Sequence, residues 1–141
     1  MNPPHAMTLG LVEDAIRTAF GAGWWLRQQL PLVLGQATDP EPDLAVVRGG
    51  PRDYAAHPTS AALVIEVADS SLSFDTNEKR VLYARSGIPD YWVVDINGRR
   101  LFVYRDPKAG DYGPPRQLGT TEMISPLAVN VAVIRVAELF A

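Results

Sequence analysis

From Pro3 onward apolar residues return at steps of three and four, at Leu9, Val12, Ile16, Ala19 and Phe20, and the pattern stops at Gly21 and Gly23. That spacing predicts a helix with one apolar stripe, suited to covering a sheet. The period then changes. Leu26, Leu30, Leu32 and Leu34 interleave with Arg27, Gln29 and Val33 as in a strand, which Pro31 restricts to an edge or a bulge because proline has no ladder donor. Residues 35–42 read as a loop. A short strand is expected over 43–47, closed by Gly49, Gly50 and Pro51, with a polar surface loop over 52–60. Residues 61–68 form an apolar, β-branched run, as expected of a strand buried on both faces, yet Glu66 interrupts it. Asp75 and Glu78 have capping-box spacing, and a helix is predicted from there through Ser86, ended by Gly87 and Pro89. Lys79 and Tyr83, four residues apart, share one face of it. Residues 91–95 and 101–104 flank Asn97-Gly98 and predict an antiparallel hairpin. Beyond Pro107 the chain reads as loop to Pro126, and 131–140 as a terminal amphipathic helix. Repeats and linkers are absent from the sequence, and the order of elements predicts an α/β fold with a mixed sheet flanked by helices.

Composition narrows the class. At 141 residues, 47% hydrophobic and 21% charged, the chain suits one globular domain over 1–141 and neither disorder nor a fibre. Without cysteine, disulfides, thiolate ligands and cysteine nucleophiles are excluded, so a metal would be held by oxygen or nitrogen. The N-terminus lacks a signal-peptide pattern and no apolar run is long enough to span a bilayer, which makes the cytoplasm the expected location. A net charge of −3 argues against wrapping nucleic acid by bulk electrostatics. Among the basic residues there are only two lysines, Lys79 and Lys108, so their positions carry information.

Asp43 and Glu66 are the candidate chemistry. One opens a strand behind Pro42, the other lies inside an apolar strand, and neighbouring strands could bring the carboxylates together. Close carboxylates repel and burial penalises each charge further, so the pair is stable only with a shared proton or cation. Mg²⁺ or Mn²⁺ suits such an oxygen site, with Asp43, Glu66 and the backbone carbonyl of Val67 as protein ligands and a water of the shell as nucleophile. Hydrolysis of a phosphodiester also calls for a cation that stabilises charge on the phosphoryl oxygens or helps deprotonate the water. Lys79 is that candidate, in the first turn of the helix after the Glu66 strand, where the helix dipole favours phosphate.

Pro42-Asp43, Val64-Ile65-Glu66-Val67, Ser70, Ser71, Asp75, Lys79, Tyr83-Ala84-Arg85, the string from Gly87 to Trp92, and Val94-Asp95 together resemble the Uma-two family of restriction endonucleases, within the PD-(D/E)XK nuclease superfamily. The resemblance runs from about His5 to the C-terminus. It implies a restriction-endonuclease-like core and a Mg²⁺- or Mn²⁺-dependent endonuclease acting on DNA, with Asp43 and Glu66 as metal ligands and Lys79 as the catalytic lysine. The superfamily lysine stands two residues after the glutamate, where this chain has Ala68. The family's lysine has moved to the following helix, which matches Lys79. His5 falls where the family often has a histidine. A homodimer is expected by the same resemblance, since two sites would suit cutting both strands.

Each residue also has a plainer reading. Glu66 could be satisfied by a buried arginine or by backbone N–H groups, Asp43 could be a turn residue, Lys79 a solvated helix lysine and Tyr83 a core residue. Asp75 reads as a helix cap, Asp95 as the residue closing the hairpin and His57 as a loop residue, while Tyr91 and Trp92 suit packing or a subunit contact better than base stacking. From a different functional class comes an inactive relative used to bind nucleic acid or protein, which would need only a basic surface. A third reading is a metal-dependent hydrolase of another phosphate ester.

Overall fold

Helix α1 (Pro3–Phe20) begins and ends where the apolar stripe does. Asn2 caps it, its side-chain oxygen accepting the His5 N–H at 2.8 Å, and Pro3 stands in the first turn, where no intrahelical donor is needed. Gly21 closes it in the left-handed region at φ 71°. The computed structural model describes residues 2–37 and 39–141. Thr38, within the loop expected over 35–42, lies outside them. Among the described residues no helix is long and apolar enough to cross a membrane.

Six strands follow: β1 (Trp24–Gln28), β2 (Leu44–Arg48), β3 (Leu63–Ala68), β4 (Asp90–Asp95), β5 (Arg100–Arg105) and β6 (Arg116–Gly119). They lie side by side in chain order, antiparallel throughout except for the parallel pair of β3 and β4. A parallel pair cannot be joined by a tight turn. Its crossover is made by α2 (Leu72–Thr76) and α3 (Glu78–Arg85), which cover one face of the sheet. On the other face α1 packs Leu9, Val12, Ile16 and Phe20 against Leu44, Val46, Leu63, Ile65 and Val67. Burying those helix side chains stabilises the layer by about 1.5–3 kcal/mol each.

Every residue of β3 is buried. Alternation sends Leu63, Ile65 and Val67 toward α1, and Val64 and Ala68 toward Tyr83 and Ala84 of α3. Glu66 belongs to the second set and therefore faces α3. Beside it Tyr83, Tyr91, Tyr104 and Tyr112 pack ring on ring, with centroids 4.8 to 6.2 Å apart. Tyr91 and Trp92 are fully buried, so both are packing residues, and the Trp92 N–H donates to Asp90 at 2.7 Å.

Several local expectations differ from the fold. The strand predicted over Leu26–Leu34 is confined to Trp24–Gln28. Gln29 turns the chain at φ 52° and Pro31 has no N–H, so 30–34 runs as a loop whose Leu32 is buried and whose Leu32 and Val33 N–H groups donate to the carbonyls of Pro40 and Pro58. The helix expected to start at Asp75 begins at Leu72 and breaks at Asn77 (φ −120°, ψ −82°) into α2 and α3. Asp75 is not its cap but a buried residue of α2, accepting the Ser71 hydroxyl at 2.7 Å. The hairpin of β4 and β5 has a four-residue turn over 96–99 rather than Asn97-Gly98 alone. Gly98 is needed there for space, since a Cβ would lie 2.3 Å from Asp95 Oδ2. Within the stretch read as loop after Pro107 lie β6 and β7 (Met123–Ile124). Residues 131–140 form no α-helix: β8 (Ile134–Arg135) pairs with β7, and a 3₁₀ turn follows over Val136–Leu139. β-branched residues at 131, 133, 134 and 136 favour extended chain, and the Val136 N–H donates to the Glu122 carbonyl.

Candidate active site

Asp43 stands one residue before β2, and the register that pairs Leu44 with Ile65 carries it opposite Glu66 on β3. Their hydrogen bonds interlock. The Asp43 N–H donates to Glu66 Oε1 at 3.0 Å, and the Val67 N–H donates to Asp43 Oδ2 at 2.8 Å. Beyond the end of β2 the Asp43 carboxylate takes the β3 N–H that has no strand partner there, and Glu66 takes the N–H of Asp43, which pins both side chains.

Lys79, in the first turn of α3, donates from Nζ to Glu66 Oε2 at 2.8 Å, and the Tyr83 hydroxyl, one turn on, donates to the same oxygen at 2.8 Å. The Nζ also lies 5.8 and 5.9 Å from the ring centres of Tyr83 and the exposed Phe74. From the opposite layer His5 of α1 places Nε2 3.3 Å from Asp43 Oδ2. The three residues singled out for chemistry thus converge, together with His5 and Tyr83. Lys79 is not a solvated helix lysine, its side chain being 20% exposed against 5% for Glu66. Glu66 and Tyr83 are both buried and bond to each other, and Glu66 also accepts a backbone N–H, so the plain reading of each holds.

Electrostatics follow from burial. Loss of water pushes the Glu66 carboxyl up to about 7, against the pull of the Lys79 ammonium and with a further push from the Asp43 charge. The Tyr83 hydroxyl is raised by burial first and by the Glu66 charge second, so it stays a proton donor to Glu66. Asp75 is raised as well, chiefly by burial, with the Ser71 hydroxyl opposing.

Asp43 and Glu66 fit a hard divalent cation, since the donors are carboxylate oxygens that burial leaves in need of positive charge. Glu66 already takes part of that charge from Lys79. Among the described residues no group of three or more His, Cys, Asp or Glu side chains is arranged to hold a metal ion, so backbone and water would complete any shell there.

Sequence reasoning passed over Tyr83 as a partner of Glu66, although its four-residue spacing from Lys79 was the available signal. It assigned no contact to His5, whose meeting with Asp43 joins helix and strand from opposite ends of the chain's first third. No local pattern could disclose that contact.

A mixed six-stranded sheet between helices, with a carboxylate pair and a lysine at the end of its central strands, defines a nuclease-like fold. It is similar to the crystal structure titled "a putative nuclease belonging to DUF820", from Anabaena variabilis, with a TM-score of 0.81 at 13% identity over 99% of this chain and 82% of that one. The chain belongs to the Uma2 family, "Putative restriction endonuclease", whose model matches residues 1–137. Comparison with curated proteins finds no match.

Proposed function

We propose that the protein is a Mg²⁺- or Mn²⁺-dependent endonuclease that hydrolyses DNA phosphodiester bonds. Asp43 and Glu66 would hold the ion, with the Val67 carbonyl, which in an extended strand points to the same edge as the Val67 N–H that Asp43 accepts. The observation that carries the reading is the contact of Lys79 Nζ with Glu66 Oε2 at 2.8 Å across the strand-to-helix gap, because it sets a cation beside the carboxylate pair, in keeping with a lysine moved to the following helix. A bound ion would polarise the phosphate and activate water. Around it the chain supplies the rest. Glu66 and Asp43 would hold the ion against β3, Lys79 neutralises charge on the non-bridging phosphoryl oxygens, and Tyr83 orients Glu66 by donating to Oε2. His5 holds Asp43 from the far side.

Cleavage of plasmid and single-stranded DNA with Mg²⁺ or Mn²⁺ tests this, comparing wild type with Glu66→Ala and Lys79→Ala that keep their circular dichroism spectra. Loss of cutting in both supports the reading. Equal cutting by all three, or none by the wild type, points instead to a non-catalytic relative that binds nucleic acid or protein. The homodimer belongs to the same proposal, and sedimentation velocity checks it: a species of twice the chain mass is expected, and a monomer at every concentration would remove it.

A further inference from the structure

Among the described residues Arg27 of β1 is the only buried arginine, 3% exposed. The buried acids all have partners: Glu66 has Lys79, Asp90 has Arg105, Asp95 has Arg100 and Asp75 has the Ser71 hydroxyl. Arg27 pairs with no carboxylate in that set. Its Nη2 donates to the Pro31 carbonyl at 2.8 Å and meets His57 Nδ1 at 3.1 Å, and its Nε–H has no acceptor. A buried cation with an unmet donor and no counter-ion favours an anion beside it.

The surroundings say which anion. Arg27 stacks 4.5 Å over the Trp25 ring, and Trp25 meets Tyr54 at 5.7 Å between centroids. These residues, with His57, Leu30 and Val33 at the rim, line a recess of about 550 Å³. His57 is exposed at the mouth of the recess. Because Arg27 donates to Nδ1, the neutral ring carries its proton on Nε2, a second donor at the rim. The recess also lies on the face of the carboxylate pair. Arg27 is opposite Ala45, and Ala45 is two residues along β2 from Asp43, so strand geometry separates the Arg27 and Asp43 Cα atoms by roughly 8 Å.

We propose that Trp25, Arg27, Tyr54 and His57 form a second site that binds one nucleotide of an unpaired strand, its phosphate at Arg27 and its base on the Trp25 ring. This deepens the nuclease reading and rests on it for the identity of the ligand. Aromatic rings beside a cationic group are the general means of holding single strands without reading sequence.

Binding is measured without divalent metal, in EDTA, so that its outcome is separate from cleavage. Titration with inorganic phosphate should quench tryptophan fluorescence in wild type and in Trp24→Phe but not in Trp25→Phe. A short single-stranded oligonucleotide should bind with a Kd at least tenfold weaker in Arg27→Met, and weaker to a lesser degree in His57→Ala, a surface variant that spares the core. Lys79→Ala should retain the phosphate response. Phosphate binding without oligonucleotide binding overturns the assignment to nucleic acid. No response to phosphate in wild type, or oligonucleotide binding indifferent to both Arg27→Met and His57→Ala, overturns the site. If the protein cuts DNA and these variants bind like wild type, the nuclease reading stands and the second site falls. If it binds as expected yet never cuts, the reverse holds.

Discussion

Glu66 concentrates the chemistry because burial and charge pull it in opposite directions. Its folded value of about 7 lies above the usual 4.5, so between those values the folded state holds a proton that the unfolded chain has released. Stability therefore falls as pH rises through that window. In EDTA, urea melts of wild type at pH 5 and pH 8 should differ more than those of Glu66→Gln, which has no proton to lose there. Equal pH slopes in the two proteins would refute the assignment. Adding Mg²⁺ is expected to raise the melting temperature of wild type more at pH 8 than at pH 5, since the ion and the proton compete for the same oxygens. Lys79→Ala should lower cleavage by about 10²–10³-fold, the range for losing one preorganised cationic or hydrogen-bonding group at a reacting centre. Tyr83→Phe keeps the ring and loses one bond to Glu66, so a loss of about 1 kcal/mol is expected by denaturant titration, with the fold unchanged.

Among elements, the junction of β4 and β5 with the C-terminal segment depends on one buried ion pair. Asp90 accepts from Arg105 Nε at 2.9 Å, from the Trp92 indole at 2.7 Å and from the Leu127 N–H at 3.0 Å, while Arg105 also reaches the Ser125 carbonyl at 2.6 Å. Arg105→Met strands the carboxylate in the core and should cost about 3–5 kcal/mol, of which Asp90→Asn in the same chain restores part; equilibrium unfolding of both variants measures it. The β4–β5 turn shows how much of an element can be read locally. Asn97-Gly98 marks the turn correctly, yet the reason for the glycine is the Asp95 carboxylate against it, not a left-handed φ. Asp75 shows the opposite case. Its spacing from Glu78 imitates a helix start, but Ser71 and the packing of α2 against β3 and β4 place that start a turn earlier.

Over the whole molecule 13 lysines and arginines are outnumbered by 16 aspartates and glutamates, so the net charge of −3 opposes a phosphate backbone. With one phosphate near Lys79 and one at Arg27, the slope of log K against log salt for a single strand should lie near −1 to −2, at roughly −0.7 per neutralised phosphate, and Arg27→Met should make it shallower by about that step. A steep slope, measured by fluorescence anisotropy over a salt series, would show a wider basic surface than these residues provide.

Local pattern alone determined α1, β2, β3, the C-terminal end of α3 and the β4–β5 hairpin, because each rests on periodicity, a stop signal or a turn dipeptide that acts within a few residues. It also exposed Glu66, since a carboxylate in an apolar strand is costly wherever that strand is placed. Tertiary structure decided the rest. The register of β2 on β3 sets Asp43 against Glu66, the crossover brings Lys79 and Tyr83 to the same oxygen, and α1 delivers His5 from a distant part of the chain. Ile134 and Arg135 extend rather than coil because strand β7 offers them partners. Arg27 becomes a buried cation only when the loops at 30–34 and 54–58 fold over β1, an outcome of long-range packing that no periodicity encodes.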